Sequence, residues 1–234
     1  MNIKNKKIFL ITGTSKGIGK SIALYYLSND NNIVIGCSRS KKTIKKSNYY
    51  HYQIDLSVDK GVDDLIIKIK KDFEHIDILI NNAGIASMNH LLLTTSDKVN
   101  DILNVNLKSV INLTRDASKM MKKSKYARII NISTIASHLN LEGESVYVSS
   151  KAAIEAFTRV IAKELYPLGI TVNTIGPGPV KTDLTKNLPE PKIKKLLSQL
   201  SSQEFTTPKD IINVLDFYIK EESRLVTGQT IYLN

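Results

Sequence analysis

The chain has 234 residues, of which 42% are hydrophobic and 24% are charged. No apolar run approaches the roughly 18 residues that a membrane-spanning helix needs. The single cysteine, Cys37, excludes a disulfide within the chain, and the four histidines show no zinc-binding spacing. A chain of this length buries enough surface to fold without such links. We therefore predict one cytoplasmic domain over residues 1–234, with no metal site and no membrane contact.

The net charge of +11 raises the question of a nucleic-acid partner. Only five of the 33 basic residues are arginines, and the lysine clusters at Lys119 to Lys125 and Lys192 to Lys195 contain no interleaved aromatic residues. Solvated helix faces explain such clusters, so we predict no nucleic-acid partner.

Strand-length apolar runs alternate with helix-length amphipathic segments along the chain, which is typical of repeated βαβ units. The predicted strands are Lys7 to Thr12, Ile33 to Cys37, Tyr50 to Ile54, Ile76 to Ile80, Ala127 to Ile132, Ile170 to Ile175 and Thr230 to Leu233. The predicted helices lie near Ile18 to Leu27, Lys60 to Phe73, Ser96 to Lys122, Ser145 to Tyr166 and Pro208 to Lys220. Most strands are apolar on successive residues, as strands covered on both faces require. The pattern predicts an α/β fold with a mostly parallel, seven-stranded sheet between helices.

The polar stretch Thr182 to Thr207 fits neither period and is interrupted by Pro189 and Pro191. We predict a mobile insertion there, bordering the substrate.

A glycine-rich turn follows the first predicted strand at once, with the sequence Thr12-Gly13-Thr14-Ser15-Lys16-Gly17-Ile18-Gly19. Glycine is needed where φ is positive and where the backbone approaches a phosphate, and the helix behind the turn supplies free N–H groups. The turn therefore predicts a dinucleotide pyrophosphate site, although a tight turn without a ligand would explain this motif taken alone. The candidate cofactor residues here are Gly13, Ser15, Lys16, Gly17, Ile18 and Gly19.

The end of the second predicted strand indicates which dinucleotide is bound. An acidic residue there would select NAD, but the sequence reads Ser38-Arg39. Together with Lys16, these residues suit a 2′-phosphate, because guanidinium groups pair well with phosphate oxygens. We predict NADP(H); the alternative is that Arg39 merely points into solvent. Asp55 and Leu56, after the third strand, are placed near the adenine, although an aspartate in a turn is commonly a cap.

Tyr147 and Lys151 are four residues apart near the start of a predicted helix, so both side chains share one face. A phenol with a pKa of about 10 is a poor proton donor or acceptor near neutral pH. An adjacent ammonium and a cationic nicotinamide would lower that pKa, making Tyr147 a general acid or base. Taken alone, this spacing also arises by chance or from surface packing.

Further motifs appear in a characteristic order. They are Asn81-Asn82-Ala83-Gly84, Asn106, Ile130-Asn131-Ile132-Ser133-Thr134, Tyr147 with Lys151, Pro177-Gly178-Pro179-Val180-Lys181-Thr182 and Val226-Thr227-Gly228-Gln229. With the glycine turn, they make the chain resemble the short-chain dehydrogenase/reductase family over essentially its whole length. The resemblance implies a Rossmann-like, doubly wound domain and an NADP(H)-dependent oxidoreductase that interconverts a carbonyl and a secondary alcohol.

The resemblance also assigns roles to residues. Thr134, thirteen positions before Tyr147, would hydrogen-bond the substrate oxygen where serine is usual; if the loop has slipped by one residue, Ser133 takes that role. Tyr147 would exchange the proton, and Lys151 would hold the nicotinamide ribose and lower the pKa of the tyrosine. Asn106 would position a water, and could also bend or cap its helix. The other implied cofactor contacts are Asn82, Ala83 and Gly84 near the adenosine ribose and Pro177, Gly178, Val180 and Thr182 near the nicotinamide.

Within the family, the chain most resembles the 3-oxoacyl-(acyl-carrier-protein) reductases, notably in Met120-Met121-Lys122-Lys123 and Pro208 to Gln229. Of the two basic positions with which those reductases dock the carrier, one matches Lys125 and the other falls at the uncharged Leu168. A sugar-like or other carbonyl or alcohol substrate therefore stays open, as does a non-catalytic NADPH-binding role. The family implies a homodimer or homotetramer formed through the helices near Ser96 to Lys122 and Ser145 to Tyr166.

Overall fold

A computed structural model of the chain describes residues 6–181 and 190–234. Seven strands form one parallel sheet in the order β3-β2-β1-β4-β5-β6-β7. The strands are β1 (Lys7–Thr12), β2 (Asn32–Ser38), β3 (Tyr49–Gln53), β4 (Ile78–Asn81), β5 (Arg128–Ile132), β6 (Thr171–Gly176) and β7 (Thr230–Tyr232). The predicted fold class is confirmed, and each predicted strand is present with small shifts of its ends.

Helices cover both faces of this sheet. In chain order they are α1 (Gly17–Tyr26), α2 (Asp59–Asp72), α3 (Ser96–Leu103), α4 (Ser109–Met121), α5 (Ala136–Leu139), α6 (Ser145–Leu165), α7 (Glu190–Leu197) and α8 (Pro208–Ile219). The apolar sides of α2, α4 and α6 pack in one core, and those of α1 and α8 pack in the other. Within the described ranges, no helix is long and apolar enough to cross a membrane.

The central strand β1 shows why the strands must be apolar at successive positions. Ile8 and Leu10 point into the core beneath α2, whereas Phe9 and Ile11 point into the core beneath α1. All four side chains are almost completely buried. Since side chains alternate between the two faces of a strand, a sheet covered on both sides leaves no position for a solvated residue.

The prediction of a single helix from Ser96 to Lys122 was wrong in one respect, because the helix is not continuous. A π-helical segment, Asn104–Lys108, separates α3 from α4. Asn106 lies within it, fully buried, and its amide exchanges hydrogen bonds with the backbone of Ile85. A π segment widens the helix by one residue, and such segments are frequent at functional sites.

The predicted insertion from Thr182 to Thr207 contains a helix, α7 (Glu190–Leu197), which the sequence did not predict. Pro191 suggested an interruption, but it is the second residue of α7. Proline is accepted in the first turn of a helix, where its missing N–H has no partner to lose. Residues 182–189 lie outside the described part of the chain.

All seven strands run in the same direction, so their carboxyl ends meet at one edge of the sheet. The strand order reverses between β1 and β4, and open α/β sheets bind ligands in the crevice at such a point. The glycine turn, the residues after β2, β4 and β5, and the loop after β6 all follow strand ends at this edge.

Candidate active site

The glycine turn joins β1 to α1 at the crevice. Gly13 and Gly17 have φ values of 74° and 58°, a left-handed conformation that favours glycine. A side chain at Gly13 would place its Cβ 2.9 Å from Nδ2 of Asn82. Helix α1 begins at Gly17, so its free N–H groups open toward the turn.

The turn is fixed to the loop after β4 through Thr12. Its hydroxyl accepts hydrogen bonds from the backbone N–H groups of Asn82 at 2.9 Å and Ala83 at 2.8 Å. Nδ2 of Asn82 donates to the Thr12 carbonyl at 2.8 Å. A Cβ at Gly19 would collide with the same amide and with the Gly13 carbonyl. These backbone groups form a cradle that fits a dinucleotide pyrophosphate, because main chain rather than side chains borders the helix end.

The residues predicted to hold a 2′-phosphate gather at the ends of β1 and β2. Lys16 immediately precedes α1, with its side chain exposed, and Arg39 is exposed one residue beyond β2. The Ser38 hydroxyl donates to the Ser40 carbonyl at 3.1 Å and lies 3.4 Å from Nε2 of His51. Both cations are exposed on loops that follow strand ends at the edge of the sheet where the crevice lies, a position that suits an anionic group.

Asp55 and Leu56 have structural roles in the described structure. Oδ1 of Asp55 accepts hydrogen bonds from the N–H of Ser57 at 2.9 Å and from its hydroxyl at 2.7 Å, so Asp55 caps the turn before α2. Although partial burial acts in the opposite direction, these bonds and the charge of Arg39 hold the pKa of Asp55 below its usual value. The Leu56 side chain is buried in the core, which leaves its main chain for any contact with the adenine.

Tyr147 and Lys151 lie one turn apart on α6, as predicted. Lys151 is only 5% exposed, and its ammonium donates to the Ile132 carbonyl at the end of β5, at 2.8 Å. Nζ of Lys151 is 6.0 Å from the centre of the Tyr147 ring. Burial lowers the pKa of Lys151 to about 8, although the Glu155 carboxylate acts to raise it.

The lowered pKa predicted for Tyr147 requires both the Lys151 ammonium and a cationic nicotinamide, so it stays a prediction for the protein with its cofactor bound. Burial raises the pKa of Tyr147 to about 12, and the nearby Glu144 carboxylate adds to this effect. Hydrogen bonding from the Thr134 hydroxyl acts in the opposite direction but does not reverse it. The Lys151 ammonium donates to the Ile132 carbonyl, and it is not among the groups that shift the pKa of Tyr147. The protein by itself therefore keeps the proton on Tyr147.

Ser133 and Thr134 point in different directions after β5. The Ser133 side chain is buried and donates to Oε1 of Glu155 at 2.5 Å. The Thr134 side chain is partly exposed, contacts the Tyr147 hydroxyl and accepts a hydrogen bond from the N–H of Ala136 at 3.2 Å. Of the two hydroxyls, that of Thr134 contacts the Tyr147 phenol, whereas that of Ser133 binds Glu155.

Asn106 connects three parts of the site. Its Oδ1 accepts from the N–H of Ile85 at 2.8 Å, and its Nδ2 donates to the Ile85 carbonyl at 2.9 Å and to the Ser150 hydroxyl at 3.0 Å. A Cβ at Gly84 would lie 3.3 Å from Nζ of Lys151 and 3.4 Å from Oδ1 of Asn106. The loop after β4, the π segment and α6 are thus packed together around Lys151.

The loop after β6 forms the far wall of the crevice. The Pro177 carbonyl accepts from the N–H of Ile135 at 2.9 Å, which joins this loop to the Thr134 segment. A Cβ at Gly178 would lie 2.6 Å from the Thr206 hydroxyl. Val180 is buried, and Thr182 lies outside the described residues. A cavity of about 500 Å³ opens beside this loop, bordered by Val180, Lys181 and residues 203–208.

Sequence reasoning missed two acidic residues. Glu144, at the N-terminus of α6, raises the pKa of Tyr147, and burial raises its own pKa. Glu155 is buried one turn beyond Lys151 and receives hydrogen bonds from Ser133, Ser137 and Tyr232. The spacing of Tyr147, Lys151 and Glu155, four residues each, is the signal that could have revealed the second one.

Comparison with known proteins decides the family. The family model described as short chain dehydrogenase matches residues 7–193, which includes the glycine turn and the Tyr147 and Lys151 pair. The chain belongs to the short-chain dehydrogenase family. It is therefore an oxidoreductase, and the family resemblance predicted from its motifs is confirmed.

The relatives of this short-chain dehydrogenase cover nearly its whole length. A 3-oxoacyl-(acyl-carrier-protein) reductase, FabG, of Buchnera aphidicola subsp. Baizongia pistaciae is 37% identical, covering 98% of this chain and 96% of the relative. The protein of the same name from Haemophilus influenzae is 33% identical, covering 97% and 96%.

Solved structures agree on the fold. A 4-hydroxyisoleucine dehydrogenase complexed with NADH has a TM-score of 0.89 and 28% identity, covering 98% of this chain and 97% of the other. The aldohexose dehydrogenase of Thermoplasma acidophilum has a TM-score of 0.88 and 27% identity, covering 98% and 92%.

Proposed function

We propose that this short-chain dehydrogenase uses NADPH to reduce a 3-oxoacyl thioester to the 3-hydroxyacyl product. The observation that carries the proposal is the arrangement of the Thr134 hydroxyl against a protonated Tyr147, beside the buried Lys151. The names of the relatives at 33% and 37% identity support the thioester as the substrate class.

The backbone cradle of the glycine turn would hold the cofactor pyrophosphate, while Lys16, Ser38 and Arg39 would hold a 2′-phosphate. When bound, NADPH supplies the two reducing electrons to the carbonyl carbon. Lys151 would hold the nicotinamide ribose, and the Pro177 to Val180 loop would enclose the nicotinamide. Asn82, Ala83 and Gly84 would lie near the adenosine ribose.

The residues of the chain account for the proton. Two hydroxyl groups, those of Thr134 and Tyr147, would hydrogen-bond the substrate oxygen and stabilise the negative charge that develops on it. Tyr147 keeps its proton in the cofactor-free protein, and the positive charges of Lys151 and of an oxidised nicotinamide would lower its pKa so that it can donate that proton to the substrate oxygen. Asn106 would keep Lys151 in place through the packed contacts around Gly84 and would position a water for proton return.

A second candidate is oxidation or reduction of a small polar alcohol or carbonyl. Two structural neighbours are named as dehydrogenases of 4-hydroxyisoleucine and of aldohexose. The partly buried Glu144 beside Tyr147 favours this candidate, because a carboxylate there could accept hydrogen bonds from substrate hydroxyl or ammonium groups. Leu168, 49% exposed and uncharged, also weakens docking of an acidic carrier protein.

The test is NADPH consumption with acetoacetyl thioesters, β-ketoesters, diketones and aldoses. The proposal predicts the highest kcat/KM with acetoacetyl thioesters. A higher value with a polyhydroxylated substrate would favour the second candidate, and NADPH binding without turnover of any carbonyl would indicate a non-catalytic protein.

The choice of catalytic hydroxyl gives one prediction. We expect Thr134→Ala to lower kcat by about 100-fold, as removal of an oxyanion donor does. Ser133→Ala, the matched control, should lower the Tm through loss of a donor to Glu155 but should change kcat much less. A larger loss of kcat at Ser133 would show that the residue assignment is wrong.

Cofactor choice gives another prediction. Arg39→Ala should raise the KM for NADPH by about tenfold, because a charge-assisted pair with phosphate is lost, and should leave the KM for NADH nearly unchanged. Lys71→Ala removes an exposed cation near the C-terminus of α2 and should alter neither value. Equal effects of Arg39→Ala on both cofactors would argue against the 2′-phosphate site.

We propose a homodimer or homotetramer, because α4 and α6 expose apolar residues such as Ile111 and Val160, the latter 57% exposed. Light scattering tests this. We further propose that the described end of the predicted insertion, residues 203–207, borders the substrate, since the N–H of Thr206 donates to the Pro179 carbonyl at 2.9 Å. A cytoplasmic location stays a prediction.

A further inference from the structure

A buried carboxylate lies behind the proposed catalytic residues. Glu155 is 8% exposed and follows Lys151 by one turn of α6. Its Oε1 accepts hydrogen bonds from the hydroxyls of Ser133 at 2.5 Å and Ser137 at 2.7 Å, and its Oε2 accepts one from Tyr232 at 2.7 Å. The hydroxyls of Ser133 and Tyr232 supply donors to this carboxylate, and the single hydrogen of the Ser137 hydroxyl is shared between the carboxylate and the Thr134 carbonyl.

These contacts join three segments that meet at the active site. Ser133 precedes Thr134, and Ser137 lies on α5, where its hydroxyl also contacts the Thr134 carbonyl at 2.7 Å. Tyr232 belongs to the last strand, β7, and packs over Gly176 at the end of β6. Glu155 thus fixes the backbone on both sides of Thr134.

The same carboxylate acts on Lys151 through its charge. Burial disfavours the ammonium of Lys151, and Glu155 is the charged group that offsets this effect. The other charged and titratable groups around Glu155 are Arg159 on α6, which faces Tyr232, and His138 on α5, whose ring lies 5.4 Å from that of Tyr232.

We propose that Glu155 is a positioning residue of the active site, which holds the Thr134 segment in place and provides the negative charge one turn beyond Lys151 on α6. It touches neither substrate nor cofactor and acts through those two residues. The expected effect of Glu155 on turnover rests on the proposed function. Its effect on the titration of Lys151 does not, because that titration is measured without substrate or cofactor.

The test measures the titration of Lys151 in the cofactor-free protein. Protein labelled with ¹³C at the lysine ε-carbons is titrated by NMR, and the spectrum of Lys151→Met assigns the Lys151 resonance. In Glu155→Gln, the amide oxygen still accepts hydrogen bonds but the negative charge is lost. We expect the Lys151 midpoint to move down by about one pH unit, because a neighbouring opposite charge has been removed.

Tyr232→Phe is the matched control, because it removes one donor and leaves the charge. It should leave the Lys151 midpoint near that of the natural protein. In Glu155→Gln, the alkaline limb of the plot of kcat against pH should move to lower pH together with the Lys151 midpoint. An unchanged midpoint in folded Glu155→Gln would overturn the proposal, even with a lower Tm. If the Lys151 midpoint shifted in Glu155→Gln but the natural protein turned over no carbonyl, the proposed function would be contradicted and the role of Glu155 toward Lys151 would stand.

Discussion

Tyr147→Phe is expected to lower kcat for acetoacetyl thioester reduction by about 1,000-fold, within the range that a positioned general acid contributes. Phenylalanine keeps the ring in its place on α6 and removes only the hydroxyl that contacts Thr134. NADPH binding, followed by its fluorescence change, should stay near the value of the natural protein. The loss would therefore lie in the chemical step rather than in cofactor affinity.

Tyr166→Phe is the matched control for this experiment. Tyr166 is the residue after α6, and its side chain is 42% exposed. Removing its hydroxyl should leave kcat unchanged. If Tyr147→Phe retained the kcat of the natural protein while the control behaved as expected, Tyr147 would not be the proton donor.

Lys151→Met should be nearly as damaging, with a fall in kcat/KM of about 1,000-fold. Methionine keeps most of the apolar stem in the buried site but loses the ammonium. The Ile132 carbonyl then loses the donor that the ammonium supplies, which costs about 1–3 kcal/mol for a buried acceptor left unsatisfied. Steady-state kinetics, NADPH affinity and the Tm should therefore all change, in contrast to Tyr147→Phe.

Lys163→Met serves as the control, because Lys163 is exposed in the last turn of α6. Its kinetics and Tm should match those of the natural protein. A Lys151→Met protein with unaltered kcat/KM and NADPH affinity would contradict the role of Lys151, whatever its Tm.

The sequence predicts the sheet well because burial on both faces requires runs of successive apolar residues, which are easily recognised. Successive positions of β1, such as Phe9 and Leu10, must be apolar because both faces of the strand are buried. The glycine turn must carry glycine at positions 13 and 17, where φ is positive. Local composition determines these features directly. The same reasoning places the candidate residues at the carboxyl edge, since parallel strands end together.

Long-range contacts determine what the sequence does not predict. The π segment around Asn106 depends on the backbone of Ile85, which lies 21 residues earlier. Glu155 acquires its role from Tyr232, 77 residues later. The raised pKa of Tyr147 depends on burial and on the Glu144 carboxylate, and neither is encoded by the four-residue spacing.

The most direct test of the proposed reduction follows the transferred atom. Acetoacetyl thioester is incubated with the protein and NADPH carrying deuterium at the transferable position of nicotinamide C4, and the product is analysed by mass spectrometry and NMR. We predict deuterium at C3 of a 3-hydroxybutyryl product. Cofactor that binds but transfers no deuterium to this thioester, or to any other carbonyl tried, would contradict a reductase function.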